Sequence, residues 1–214
     1  MKTKSDYNMN RILYSRSQSA FDLIKYPGIL LLSLMPLAAC QTVETPEHGT
    51  ETQRVAMVSH LDSGYAISAS KNTISWKPDS SFIHANERID GESYRRLLEE
   101  AIIVTLKNKG YAFSTDPQQG DLLVSYAAGL ETELSDQEIT QRFGMIPGLG
   151  GKTPNQDKYE KGTIIVDIFD RKDNKSVWRG VVQGFADLKV SPAERSQRLR
   201  NIMQQLMTEF PGML

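Results

Sequence analysis

The sequence predicts an α+β domain, in which an antiparallel or mixed sheet carries two helices packed on one face. Three observations carry that prediction. Glu92 to Lys109 places Tyr94, Leu97, Leu98, Ala101, Ile102, Thr105 and Leu106 on one helical face. Gly162–Phe169 and Ser176–Phe185 are dense in β-branched and aromatic residues and flank a polar turn. A second apolar helical stripe, Leu199, Ile202, Met203, Leu206 and Phe210, closes the chain. The order is strands, helix, strand, hairpin, helix, which suits an α+β sandwich.

The elements follow in order. Arg54-Val55-Ala56-Met57-Val58 opens a first strand, and Ala66-Ile67-Ser68-Ala69 and Thr73-Ile74-Ser75-Trp76 read as short extended segments before Lys77-Pro78-Asp79 breaks the chain. The helix from Glu92 ends at Gly110, a natural C-terminal cap. From Asp121 to Leu134 the residues alternate, with Leu122, Val124, Tyr126 and Ala128 on one side and Leu123, Ser125 and Ala127 on the other. Ser135 to Lys161, rich in glycine and polar residues, reads as the longest irregular stretch. Asp170–Lys175 suits a hairpin loop. Ser191-Pro192-Ala193-Glu194 reads as a capping box with proline at the first helical position, and Pro211-Gly212 stops the last helix.

The N-terminus has a separate logic. Lys2, Lys4, Arg11, Arg16 and Lys25 form a basic region ahead of the apolar run Gly28–Leu37, which Pro36 interrupts. A helix of about ten residues, at ~1.5 Å each, reaches only half-way across a ~30 Å hydrocarbon core. Leu37-Ala38-Ala39-Cys40 then presents the one cysteine of the 214 residues after two small ones. This arrangement resembles the lipobox of a bacterial lipoprotein. Cleavage before Cys40 and acylation of its thiol are the expectation. Residues 1–39 then form a signal peptide, Cys40 with residues 41–53 a lipidated flexible tether, and residues 54–214 a single domain. Two or more acyl chains anchor stably where one does not. Gln41 follows the cysteine where aspartate would retain a lipoprotein in the inner membrane. The expected location is therefore the outer membrane, with the domain facing the periplasm.

Composition removes several classes of function. Acylated Cys40 leaves no thiol for a disulfide or a nucleophile. Loss of residues 1–39 removes five basic and two acidic side chains and takes the net charge from −1 to about −4. With no Lys/Arg cluster outside the signal, this argues against nucleic acid as a partner. Gly148-Leu149-Gly150-Gly151-Lys152-Thr153 invites a phosphate-loop reading, but Ile146 stands where its first glycine belongs and Pro154 follows where the helix should begin. His48, His60 and His84 lack metal-ligand spacing, and no serine sits in a Gly-x-Ser-x-Gly elbow. Neither a metal nor a cofactor is expected.

One candidate surface remains. Trp178 and Arg179 are neighbours on a strand and so face opposite sides of the sheet. The plainer reading packs Trp178 under a helix and leaves Arg179 solvated or ion-paired, with Gly180 permitting close approach. The alternative has Arg179 line a groove with the Gly144–Thr153 loop, Lys152 included, and hold a carboxylate or phosphate.

Gly162–Asp170, Lys175–Gly180 and the closing Glu209-Phe210-Pro211, together with Tyr65–Trp76, Leu98–Tyr111 and Asp121–Tyr126, resemble a bacterial lipoprotein family built on the domain of unknown function 4136. The resemblance spans about 150 residues. It implies an outer-membrane lipoprotein of the cell envelope and carries over no catalytic residue. The expected function is a non-catalytic binding or structural domain, with the bilayer as one partner and an envelope protein or polymer as another. The alternatives are a hydrolase of envelope polymers whose site assembles from scattered residues, and an assembly factor that docks on a protein by strand addition.

Overall fold

In the computed structural model the described residues are 54–213, apart from Ile67, Ala69, Asn86, Pro147 and Lys152. Seven strands and three helices run in the order β1 (Val55–Leu61), β2 (Thr73–Trp76), β3 (Phe82–His84), α1 (Gly91–Asn108), β4 (Ala112–Ser114), β5 (Leu122–Leu130), α2 (Asp136–Phe143), β6 (Tyr159–Asp170), β7 (Ser176–Asp187) and α3 (Pro192–Leu206). The strands make one sheet in the order β1-β7-β6-β5-β2-β4, with β3 also on β5. β1, β7, β6 and β5 pair antiparallel, while β2 and β3 lie parallel to successive halves of β5 and β4 lies parallel to β2. The sheet is mixed, and the fold is α+β as the sequence predicts.

Alternation sorts the side chains between two faces. Val124, Tyr126, Ile164, Val166, Ile168, Trp178 and Val182 meet the buried faces of α1 and α3 in the main core. On α1 the buried residues are Leu98, Ala101, Ile102, Thr105 and Leu106, the centre of the stripe read from the sequence. Leu199, Met203 and Leu206 do the same work on α3. Tyr111 stacks on Phe210 with ring centres 5.4 Å apart, and Phe210 lies 5.5 Å from Trp178.

Cap chemistry sets the helix ends. The Asp90 carboxylate accepts from the Glu92 and Ser93 amides, both at 3.1 Å. At the other end of α1, Gly110 has φ +92°, and a Cβ there would stand 2.7 Å from the Met213 carbonyl oxygen. The C-terminal tail therefore docks against the end of α1, with the Met213 amide donating to the Lys109 carbonyl at 2.7 Å. Ser191 accepts from the Glu194 amide at 3.3 Å. Glu194 pairs with Arg198 on the same helix.

Several elements differ from the sequence reading. The stretch from Ser135 contains α2, begun by a capping box between Ser135 and Glu138 and ended by Gly144 at φ +75°. It also contains the first residues of β6, which starts at Tyr159. Ala66 and Ser68 are in no strand, and Ile67 and Ala69 lie outside the described residues. β5 ends at Leu130, and Glu131–Leu134 form a turn. β3 and β4, three residues each, are too short to leave a periodic signal. α2 covers the second face of the sheet, where Ile139 and Leu134 pack on Ala127, Ile165 and Val181.

Candidate functional site

Trp178 and Arg179 point to opposite faces and do not meet. Trp178 is 1% exposed in the main core, and its indole nitrogen has no hydrogen-bond partner among the described residues. Gly180, two residues on and so on the same face, makes room for it. A Cβ at Gly180 would come within 2.5 Å of the indole and 2.9 Å of Leu206.

Arg179 lies on the α2 face, in register with Asp167 of β6. Its Nε donates to Asp167 Oδ2 at 2.8 Å, and Nη2 donates to the same oxygen. Nη1 donates to the Phe143 carbonyl at 2.7 Å, at the end of α2. The Ser176 hydroxyl donates to the other Asp167 oxygen. The guanidinium thus ties β6, β7 and α2 together, and each of its three nitrogens donates within the protein. Arg179 is therefore ion-paired, one of the two states the plainer sequence reading allows.

The rest of that face follows the same rule. Gln183 donates to Asp136 at 2.6 Å and accepts from the Leu149 amide at 3.2 Å, which lays the glycine-rich loop on the sheet. Lys161 bridges Glu131 at 2.7 Å and Asp136 at 2.8 Å. Burial pushes the Asp136 carboxyl up, but the hydrogen bonds from Lys161 and Gln183 outweigh it and leave the carboxyl below the usual range. At the hairpin end, Asp170 accepts from Tyr65 and Lys71. Burial pushes Asp170 up and those two donors pull it further down, so it too lies below the usual range. Polar groups satisfied by one another hold a fold and leave little to offer a ligand. Among the described residues no group of three or more His, Cys, Asp or Glu is placed to hold a metal ion, and no helix is long and apolar enough to cross a membrane.

The helical side of the sheet offers something different. Between α3, the start of α1 and the far ends of β6 and β7 lies an open cleft of about 420 Å³. Gly162 and Gly184 face each other in register on its floor, with Ile164 and Val182 beside them. Leu199 and Ile202 of α3 form one wall, and Tyr94 of α1 closes the end. Three polar side chains of the lining have no hydrogen bond or ion pair among the described residues: the Arg195 guanidinium and the Tyr94 hydroxyl, both partly buried, and the exposed Gln205 amide. Burial pushes the Tyr94 phenol up to about 12 against the pull of nearby Arg195, so it is a neutral donor at physiological pH. Other charges along the lining are matched: Arg198 by Glu194, and Asp187 by Lys158. A concave apolar site with a few converging polar groups is the usual form of a small-molecule pocket, and its size falls in the common ~300–1,000 Å³ range.

Cys40 and Lys152 lie outside the described residues. The sequence reading did not single out Tyr94, Arg195 or the facing glycines as site residues. The available signal was two glycines inside β-branched strands on either side of one hairpin.

Residues 60–212 match the family described as Domain of unknown function (DUF4136). The chain belongs to that family. None of the curated proteins matches it. Among solved structures, the DUF4136 chain is similar to a family member from Bacteroides thetaiotaomicron at 16% identity and a TM-score of 0.46, over 72% of this chain and 95% of that one. It is also similar to the PelC dodecamer from Paraburkholderia phytofirmans at 12% identity and a TM-score of 0.44, over 73% and 99% of the two chains. A PDZ domain protein from Parabacteroides distasonis matches at 13% identity and a TM-score of 0.44, over 74% of this chain and 36% of that one. None of these likenesses assigns a role to a residue of this DUF4136 domain.

Proposed function

We propose that this DUF4136 protein is a lipid-anchored lipoprotein of the cell envelope, held in the outer membrane through acylated Cys40, whose domain binds a ligand without transforming it. The observation that carries the binding half is the contrast between the two faces of the sheet. The carboxylates and cations of the α2 face are spent on one another, whereas the cleft under α3 keeps an unmatched guanidinium and phenol over an apolar floor. A hydrolase would need a carboxylate or imidazole held free beside a reacting bond. Asp136, Glu160, Asp167 and Asp170, four of the buried or half-buried acids among the described residues, are instead hydrogen-bonded to basic side chains. Support for the anchor comes from the basic, apolar and small-residue sequence ahead of Cys40, with Gln41 favouring the outer membrane. Metabolic labelling with palmitate tests it. Wild-type protein should take the label and Cys40→Ala should not; equal labelling of both would end the lipoprotein reading.

A further inference from the structure

We infer that the cleft under α3 is a binding site for a single acyl chain ending in a carboxylate, that is, a fatty acid. The inference rests on the binding reading above and adds the class of ligand.

The floor carries the first argument. Gly162 and Gly184 sit inside regular antiparallel strands, where glycine costs stability and fills no space. Neither has a positive φ, and neither is forced by crowding. A Cβ at Gly162 would have its nearest neighbour at 3.6 Å, and one at Gly184 at 3.5 Å, both ordinary contacts. The fold tolerates side chains at both positions and has none, so the floor is hollow where a larger residue would complete the core. Gly180, by contrast, is accounted for by crowding from Trp178 and Leu206.

Charge carries the second. A neutral apolar ligand would require no cation, yet Arg195 stands in the lining without an ion pair among the described residues, beside a phenol that donates and stays neutral. A guanidinium with an adjacent hydroxyl donor suits a carboxylate, which accepts from both. The remaining lining, Ile164, Val182, Leu199 and Ile202, suits alkyl chain. The protein's own acyl groups on Cys40 carry no anion to match Arg195.

Position carries the third. Val55 is in the cleft lining and is also the first residue of β1, fifteen residues after Cys40. A chain of that length spans at most about 50 Å. An anchored domain therefore keeps this cleft within reach of the bilayer, where acyl chains are released and inserted.

The test uses the full lipidated chain in phosphatidylcholine nanodiscs with a diazirine-bearing palmitic acid, and with the corresponding alcohol as the uncharged probe. The acid should crosslink to peptides of β7 and α3 that line the cleft. Gly184→Leu, which fills the floor, should cut labelling by both probes about tenfold or more. Arg195→Gln should weaken labelling by the acid about tenfold and leave the alcohol unchanged, the loss of one charge-assisted contact. Should Gly184→Leu fail to fold, the acid-against-alcohol split in Arg195→Gln decides alone. Labelling indifferent to Arg195→Gln, or located away from the cleft, overturns the inference. Cleft labelling that appears only in Cys40→Ala also overturns it, because the protein's own acyl groups then occupy the site. Palmitate incorporation at Cys40 is read separately, so failure of the ligand and failure of the anchor give different results.

Discussion

Arg179 separates a fold-holding role from a ligand-holding one by a measurable amount. Replacing it with methionine removes three donor contacts, to Asp167 twice and to the Phe143 carbonyl once. The Asp167 side chain, 6% exposed, is then left with the Ser176 hydroxyl as its one side-chain donor. Stranding one member of a buried pair costs about 3–5 kcal/mol. Arg179 is 23% exposed, so water relieves part of that, and roughly 2–3 kcal/mol is the expected loss. For a domain of this size the fall in Tm is about 4–12 °C. In urea, with a slope near ~2 kcal/mol/M, the midpoint should drop by about 1 M. The double variant Asp167→Val/Arg179→Met removes both charges beside Ile165 and Val181 and should recover most of the loss. Hydrogen exchange should also quicken in α2, whose end Arg179 holds through Phe143. A single variant within about 0.5 kcal/mol of wild type would refute the clamp.

Two further outcomes follow from the same geometry. Gly180→Val drives a branched side chain into Trp178 and Leu206, and about 1–3 kcal/mol or more of overpacking should appear in chemical denaturation together with altered tryptophan fluorescence; unchanged stability and emission would show the core to be looser than described. The Asp170 carboxyl lies below its ordinary value in the native state, so it adds stability above the unfolded value near ~4 that is lost as pH falls through the native value. The Lys71 ammonium is raised chiefly by its hydrogen bond to Asp170, so its share is complete below ~10.4 and fades only as pH rises beyond. Lys71→Met should therefore shift the midpoint of acid unfolding, followed by circular dichroism, to higher pH; an unmoved midpoint would contradict the pairing.

The sequence made the long elements legible because their periodicity is redundant. Five buried residues of α1 and the alternation of β5 each repeat the same signal. α2 was hidden for the opposite reason. Its eight residues contain one buried side chain, Ile139, so no stripe exists to be seen, although Ser135-x-x-Glu138 spells its cap. β3 and β4 pair parallel with partners far along the chain and carry no local mark. That Trp178 and Arg179 part to opposite faces follows from strand geometry alone. Arg179's partner Asp167 emerges from hairpin register, which a bulge at Ile168/Phe169 shifts. The cleft was least legible, because it consists of missing side chains at Gly162 and Gly184 and of an Arg195 marked by what it fails to touch.

The described chain enters the sheet at its border, through β1, and that makes this strand the fold's first mechanical link. Its seven rungs run from Val55 opposite Gly184 to Leu61 opposite Trp178. Any tension transmitted through residue 54 meets the Val55 rung first, where Gly184 offers no side chain to grip. Pull across the strand opens the rungs one at a time from that end, whereas pull along it loads all seven together. The direction of force thus decides whether β1 peels or holds, and the last rung to yield is seated on the tryptophan at the centre of the core.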